Sequence, residues 1–489
     1  MALPSIGGPT RAPAVPAPRA RCLIAGQWVP GDGEVKKTVG PYSGDTVTTV
    51  GYATKPQIDA AVAAAKAAQD AWAATTMGER ARVITAALDA VASRADEIAR
   101  WITLEMGKTI TEAREEVVDI TLEIARAAVE DARRFGGATR PAWSAGHARR
   151  RVHTIYQPIG VTGFISPWNF PVEMVANCVA ALMMGNTCVW KPSEWAPYAP
   201  QLLVEAFASA DLPPGVLNLV YGGPETGEQL VTHPDLGLLA FIGSTAVGEQ
   251  IASAAGVKRL LLELGGNGPL IVLDDADVDA AVNATVDSCF YMAGQVCTSA
   301  ERIVVHSAVH DEFVAKLTAR AAALTVGDPL DESTDMGPIS EARILAKIVD
   351  HIADARAKGA TITTGGRASG HFHEPTVLTG VTRDMRIYQE ETFGPVAPVI
   401  KVDSASEALA IANDSEYGLS MAVFTSSLTT AYEMSEGLQA GSVAVNAGTN
   451  DWELGLPFGG YKKSGIGREL GEDALRAFTN VKSVSITLL

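Results

Sequence analysis

The chain has 489 residues, 47% of them hydrophobic and 19% charged, enough for two to four domains with sizeable cores. A formal net charge of -17 argues against nucleic acid as the main partner, since phosphate backbones call for clustered Lys and Arg. No run of about 18 apolar residues marks a membrane-spanning helix, so a small-molecule partner, no membrane and a cytoplasmic setting are the expectations.

In chain order, residues 1–20 (MALPSIGGPTRAPAVPAPRA) are rich in Pro and Ala and lack the continuous apolar core of a secretory signal. They read as a disordered arm, and their prolines disfavour the amphipathic helix of a transit peptide. Two Ala-rich stretches, IDAAVAAAKAAQDAW (58–72) and ERARVITAALDAVASRADEIARWITLEM (79–106), carry apolar residues at helical spacing and predict covering helices. HARRRVHTIYQPIG (147–160) alternates like a hairpin strand. From about Arg151 short apolar runs ended by Gly or Pro alternate with helical segments, as in GVTGFISPWNFP (160–171) and LLAFIGSTAVGEQIASAA (238–255). That alternation predicts a parallel sheet with helices on both faces. A second βα series starts near LIVLDDADVDAAVNATV (270–286) and runs to about residue 463. The predicted fold class is therefore α/β, with two tandem parallel-sheet domains and a ligand cleft between them. SVSITLL at the C-terminus is a further short β candidate. Strands outside both sheets need partners, and a neighbouring subunit's sheet is the expected one.

The five cysteines (22, 178, 188, 289 and 297) are odd in number, scattered and without CxxC spacing. Neither a disulfide framework nor a zinc site follows, no metal is expected, and a reducing cytosol fits.

Cys297 stands in GQVCTS (294–299). Taken alone it reads as a packed thiol, because free cysteine is among the most buried residue types. A nucleophile needs a base, since a thiol of pKa about 8.5 is only a few per cent thiolate at neutral pH. Glu263, in RLLLELGGNGP, ends a strand rich in leucine, where lost hydration should raise its pKa toward that of a general base. The plainer reading is a Glu that leaves for solvent at the strand terminus. Asn169, in SPWNFP, could donate its amide to a developing oxyanion together with the Cys297 N–H. Equally, Asn before Phe-Pro is an ordinary turn former.

PWNFP, KPSE, FIGSTAVG, LELGGN, GQVCTS, EETFGPV and PFGGYKKSGIGRE occur in the order shown by the NAD(P)-dependent aldehyde dehydrogenase superfamily. The chain resembles that superfamily over about residues 22 to 485, and the 34 residues from Glu263 to Cys297 match its usual base-to-nucleophile spacing. The resemblance implies a Rossmann-like cofactor domain (21–133 and 153–262), a catalytic domain (263–463) and a small β oligomerisation extension (134–152 and 464–489), in a homodimer or homotetramer. It implies Cys297 as nucleophile toward an aldehyde, Asn169 as oxyanion donor, Glu263 as the base that activates water for thioester hydrolysis, and Glu469 as a proton-relay carboxylate.

On the cofactor side the resemblance implies that Gly243, Ser244 and the following helix receive the pyrophosphate, although the G-x-G-x-x-G fingerprint is absent. Lys191 and Glu194 match positions that hold the adenosine ribose. A carboxylate there accepts from a free 2'-hydroxyl and repels a 2'-phosphate, which favours NAD with NADP as the alternative. Glu391 and Phe393 match the pair at the nicotinamide ribose, while Ile165, Trp168, Gly223, Leu264 and Gly265 fall along the cofactor groove.

Phe170, Tyr291 and Trp452 are expected to line the aldehyde tunnel, a collar suited to apolar, aromatic or cationic substrates. Arg302 is the one arginine near these segments, which disfavours succinic semialdehyde, kept as the alternative. Rival readings are a coenzyme A-acylating enzyme, a cysteine hydrolase working without nicotinamide, and a non-catalytic binding protein on the same scaffold.

Overall fold

The computed structural model describes residues 17–144 and 146–488. Most of the expected N-terminal arm lies outside the described residues, but its end does not: Arg19–Ala20 forms a strand beside Thr46–Gly51, which in turn pairs with Val35–Val39.

Local chemistry sets the helices. Lys55–Ala73 buries Ile58, Ala61, Val62, Ala65 and Trp72, one face at a spacing of three to four residues. The stretch 79–106, expected to be helical, forms two helices, Met77–Ala92 and Ala95–Met106. The first opens on a capping box, with Glu79 N donating to Thr76 Oγ1 (3.2 Å) and Thr76 N to Glu79 Oε2 (2.7 Å). It closes where Ser93 Oγ donates to Ala90 O at 2.7 Å, giving that carbonyl a side-chain donor and letting the backbone leave the helix. A π-helical stretch, Glu116–Leu122, interrupts the next helical run.

Five parallel strands form the middle of the first large sheet, in spatial order Arg259–Glu263, Leu238–Ile242, Val161–Ile165, Thr187–Lys191 and Leu217–Leu219. Sequence order reverses between Val161–Ile165 and Leu238–Ile242. The crevice beyond the carboxyl ends of those two strands is thus the topological switch point where α/β sheets bind ligands. Antiparallel Cys22–Ile24 and Gln27–Val29 extend one edge of this sheet, and Gly465–Ile466 extends the other.

The second sheet has seven strands, with Gly268–Val272 between Ala300–His306 and Ser420–Phe424 at its centre, all parallel. Each sheet has its own apolar core. Met292 and Val296 pack in the first core although their neighbours Cys289, Phe290 and Ala293 pack in the second, so the chain crosses between cores just before Cys297.

Arg150–Pro158 and Thr479–Thr487 pair antiparallel over nine positions, with Thr139–Arg140 on the far side. These strands outside both large sheets pair with each other in the same chain, and among the described residues the outer edges of the sheet they form stay open. The segment expected at 464–489 divides as well, since Gly471–Ala477 packs on the first core and only the last strand joins the outlying sheet. No helix among the described residues is long and apolar enough to cross a membrane.

Candidate active site

A cavity of about 430 Å3 opens where the two sheets face each other, and Cys297, Glu263 and Asn169 all line it. Each arrives by a different route. Asn169 follows the carboxyl end of Val161–Ile165, and Glu263 is the last residue of Arg259–Glu263. Cys297 follows a turn in which Met292, Ala293 and Gly294 have φ of 51°, 55° and 71°. Consecutive left-handed residues without a glycine at the first two are uncommon and need anchoring. Met292 N donates to Glu112 Oε1 at 2.7 Å, Gln295 Nε2 donates to Met292 O at 2.9 Å, and Ser340 N donates to Gln295 Oε1 at 2.9 Å. A Cβ on Gly266 would come within 2.2 Å of the Cys297 carbonyl, so only glycine lets the Glu263 loop approach the Cys297 backbone this closely.

Glu112 belongs to a fully buried polar group that sequence reasoning missed. Lys108 Nζ lies 2.6 Å from Glu116 Oε2 and 4.2 Å from the Phe170 ring centroid, and Val172 N donates to Glu116 Oε1 at 3.0 Å. The same helical segment therefore braces the Asn169 turn through Glu116 and the Cys297 turn through Glu112. A lysine and two glutamates in a sequence read as solvated, and only the tertiary fold pairs them.

Asn169 Nδ2 donates one hydrogen to Gln295 O at 3.1 Å, which fixes the amide and leaves its second N–H for the cavity. Losing such a preorganised donor costs about 2.7 to 4 kcal/mol in comparable sites. Asn169→Ala is accordingly expected to lower kcat with an aldehyde by a factor of about 100 to 1,000 while its melting temperature stays near wild type. Steady-state kinetics beside a thermal melt check this, and a loss below threefold would remove the amide from the chemistry.

The raised pKa expected of Glu263 extends to Glu469 and Glu173, for which the sequence did not disclose it. Glu263 is 3% exposed and its Oε1 has no hydrogen-bond partner. Burial, then the neighbouring Glu469, push its carboxyl well above the ordinary range, and contact with the Cys297 thiol opposes this only partly. Burial also lifts Glu469 to about 7. Glu173 rises to about 8 through burial and repulsion from Glu469 and Glu116. The Cys297 thiol is pushed up by burial and by Glu263. The resting site therefore holds a protonated thiol against a proton-hungry carboxyl group, not a ready-made thiolate.

On one side of Cys297 the cavity is aromatic and acidic. Phe170, Tyr291 and Trp452 line it as expected, joined by Phe458, Glu115 and Asp287, which the sequence did not single out. Tyr291 Oη donates to Glu115 Oε2 at 3.1 Å. Burial and Asp451 raise the Asp287 carboxyl, and burial raises Glu115, with Asp287 adding to the effect. Arg302, weighed as a possible clamp, is fully buried elsewhere: it donates to the carbonyls of Asn267, Ile411 and Ala412. The two basic residues on the cavity wall, Arg343 and Lys347, lie across from this end, Lys347 near Glu301 and Glu391 and Arg343 near Lys36.

On that other side the walls include Trp168, Gly243, Ser244, Gly265, Glu391 and Phe393. Gly266 N donates to Glu391 Oε1 at 2.9 Å, and the Trp168 and Phe393 rings meet edge to face at 5.9 Å. Ser244 is the N-cap of Thr245–Ala254, and its side chain makes no capping bond, so both hydroxyl and helix N-terminus are free for an anion. Gly243 N donates to Glu263 O at 3.1 Å, tying this turn to the carboxylate strand. Lys191, Glu194, Gly223, Ile165 and Leu264 do not line the cavity. Lys191 and Glu194 pair at 4.0 Å at the end of the adjacent strand, Ile165 is buried near Gly227, and Gly223 caps Pro224–Thr232 against Tyr52. Leu264 is buried, its N–H donating to Ser464 O at 2.9 Å. Lys36, which the sequence did not suggest, also approaches Glu194, at 3.8 Å. The cavity wall thus places a free helix N-terminus beside a carboxylate and an aromatic ring, while the Lys191–Glu194 pair lies outside it. Among the described residues no group of three or more His, Cys, Asp or Glu could hold a metal ion.

The aldehyde dehydrogenase family model matches residues 28–484. The chain is similar to a succinate-semialdehyde dehydrogenase [NADP(+)], GabD, of Escherichia coli, with 37% identity over 96% of this chain and 98% of the relative. It is equally similar to a betaine aldehyde dehydrogenase of Rhizobium etli, at 37% over 96% and 97%. Among solved structures it superposes on an Escherichia coli NADP-dependent enzyme with a TM-score of 0.93 at 36% identity, covering 96% of this chain and 98% of that one. On betaine aldehyde dehydrogenase from Staphylococcus aureus in complex with NAD+ the TM-score is 0.92 at 32% identity, covering 96% and 95%.

Proposed function

Because the chain belongs to the aldehyde dehydrogenase family, and so oxidises an aldehyde to the acid with NAD(P) as acceptor, we propose that Cys297, Glu263, Asn169 and Glu469 carry its chemistry. The observation that supports this most is the meeting of thiol, base and amide in one cavity from three separate elements. The Cys297 sulfur adds to the aldehyde carbon as its proton passes to Glu263, whose raised pKa makes it a competent acceptor. The carbonyl electron pair moves to oxygen, where the Asn169 amide and the Cys297 N–H stabilise the negative charge. The chemistry the bound dinucleotide supplies is acceptance of hydride from the resulting thiohemiacetal carbon, which leaves a thioester on sulfur. Glu263, having passed its proton on toward Glu469, then takes one from water; hydroxide adds to the thioester carbon and the Cys297 thiolate leaves with the C–S electron pair.

For the cofactor, Ser244 and the helix N-terminus would hold the pyrophosphate, Lys191 and Glu194 the adenosine ribose, and Glu391 with Phe393 the nicotinamide end. Ile165, Trp168, Gly223, Leu264 and Gly265 shape the groove. Glu194 favours NAD over NADP, although Lys36 and Lys191 soften the discrimination by neutralising it. The exposed outer strand Thr479–Thr487 leaves an unpaired edge suited to a homodimer or homotetramer. A cytoplasmic setting is consistent with its unpaired cysteines.

Glu115, Asp287 and the aromatic collar support a neutral or cationic aldehyde over one that ends in a carboxylate, because like charges brought into a part-buried site repel. With NAD in excess, kcat/KM for a short ω-aminoaldehyde is expected to exceed that for succinic semialdehyde at least tenfold, about 1.4 kcal/mol. The reverse order would favour the semialdehyde reading that relatives such as GabD suggest.

A further inference from the structure

Four residues beyond Cys297, Glu301 sits in the strand Ala300–His306, 3% exposed, and takes no part in the chemistry above. Its side chain reaches the loop that carries Glu391 and Phe393. Oε2 accepts from Thr392 N at 2.6 Å and Oε1 from Phe393 N at 2.7 Å. Phe393 has φ of 59°, a left-handed conformation that an aromatic residue rarely adopts unaided. The loop is strapped further by Asn267 Nδ2 to Glu390 O at 3.2 Å and by His351 Nδ1 to Thr392 Oγ1 at 3.1 Å. Among the described straps of this loop, Glu301 is the one that holds two consecutive backbone N–H groups, and thereby the peptide that sets the direction of the Phe393 ring.

We infer that Glu301 is a positioning residue for the dinucleotide: a carboxylate bracket that fixes the Thr392–Phe393 peptide relative to the Cys297 strand and so presents Glu391 and Phe393 to the nicotinamide ribose. The inference rests on the proposed role of Glu391. Because the same strand follows the nucleophile turn, the bracket ties the depth of the nicotinamide pocket to the position of the thiol. Burial and the adjacent Glu391 raise the Glu301 carboxyl above its ordinary range, opposed by the two N–H donors and by Lys347. A residue serving only to fill space would not require two acceptor oxygens turned to two consecutive N–H groups. A glutamine keeps the shape but offers one acceptor to two donors, and an aspartate keeps the charge but withdraws it by one methylene from both.

The test uses the full-length protein and three variants: Glu301→Gln, Glu301→Asp and Glu391→Gln. At saturating aldehyde, KM for NAD is expected to rise roughly tenfold in Glu301→Gln and further in Glu301→Asp. Hydrolysis of p-nitrophenyl acetate without dinucleotide, which reads the thiol and its base but not the cofactor pocket, should stay within about twofold of wild type. Glu391→Gln separates the two layers of the argument. If it raises KM for NAD while Glu301→Gln does not, the bracket is overturned and the reading of Glu391 stands. If neither moves KM, both fall. Parallel losses of ester hydrolysis, KM and melting temperature would make Glu301 merely structural and overturn the inference. Should Glu301→Gln not fold, hydrogen exchange on the wild-type protein decides: the Thr392 and Phe393 amides should be protected without NAD, and exchange at free-chain rates would contradict the bracket.

Discussion

Replacing Cys297 by alanine is expected to abolish aldehyde oxidation, leaving kcat below about one part in ten thousand of wild type, as loss of a nucleophile does in other covalent catalysts. The substitution removes one sulfur from a cavity wall, so neither core loses packing, and the groove on the Glu391 side keeps all its residues. NAD is therefore expected to bind Cys297→Ala with a Kd within about threefold of wild type by calorimetry. Chemistry lost with binding kept is the signature of a nucleophile. The other four cysteines are buried and do not line the cavity, so none can substitute for it.

Glu263→Gln is expected to act later in the reaction. The amide keeps the shape of the strand end but cannot take a proton from water, so thioester hydrolysis should slow by a factor of about 100 to 10,000. Sulfur addition needs a proton acceptor too, but Glu469 and Glu173 share the cavity and the attacking thiol is intrinsically nucleophilic. The first turnover should survive better than the second. The raised pKa of Glu263 gives the pH dependence its sign. The carboxyl stays protonated to higher pH than an ordinary glutamate, so the wild-type deacylation rate should climb as the pH rises through that raised pKa. Glu263→Gln should lack that climb, and stopped-flow deacylation measured across pH would reveal it.

The β–α alternation after Arg151 was legible because buried parallel strands read as short apolar runs closed by Gly or Pro, and Leu238–Ile242 and Val161–Ile165 are such runs. The break at Ser93 was not, since its cause is one hydroxyl turning back onto Ala90 and the apolar spacing continues across it. Nor was the three-stranded sheet holding Arg19–Ala20, whose two residues carry no strand pattern of their own. At the site, Cys297, Glu263 and Asn169 could be found because each stands in a motif with a turn or strand signal beside it. Glu112, Glu116 and Glu301 could not: a glutamate reads as solvated, and what buries these three is the backbone N–H groups of segments 56 to 180 residues away. The left-handed pair Met292–Ala293 was equally silent, having no glycine or asparagine to announce it.

The central claim is that Cys297 and Glu263 act on the same carbon in succession beside the bound nicotinamide. Rapid mixing of Glu263→Gln with aldehyde and NAD, followed by acid quench and peptide mass analysis, tests it most directly. The expected result is a burst of NADH approaching one per active site, then near silence, with an acyl group on the peptide that carries Cys297. Steady turnover at the wild-type rate, or an acyl group on any other residue, would contradict it.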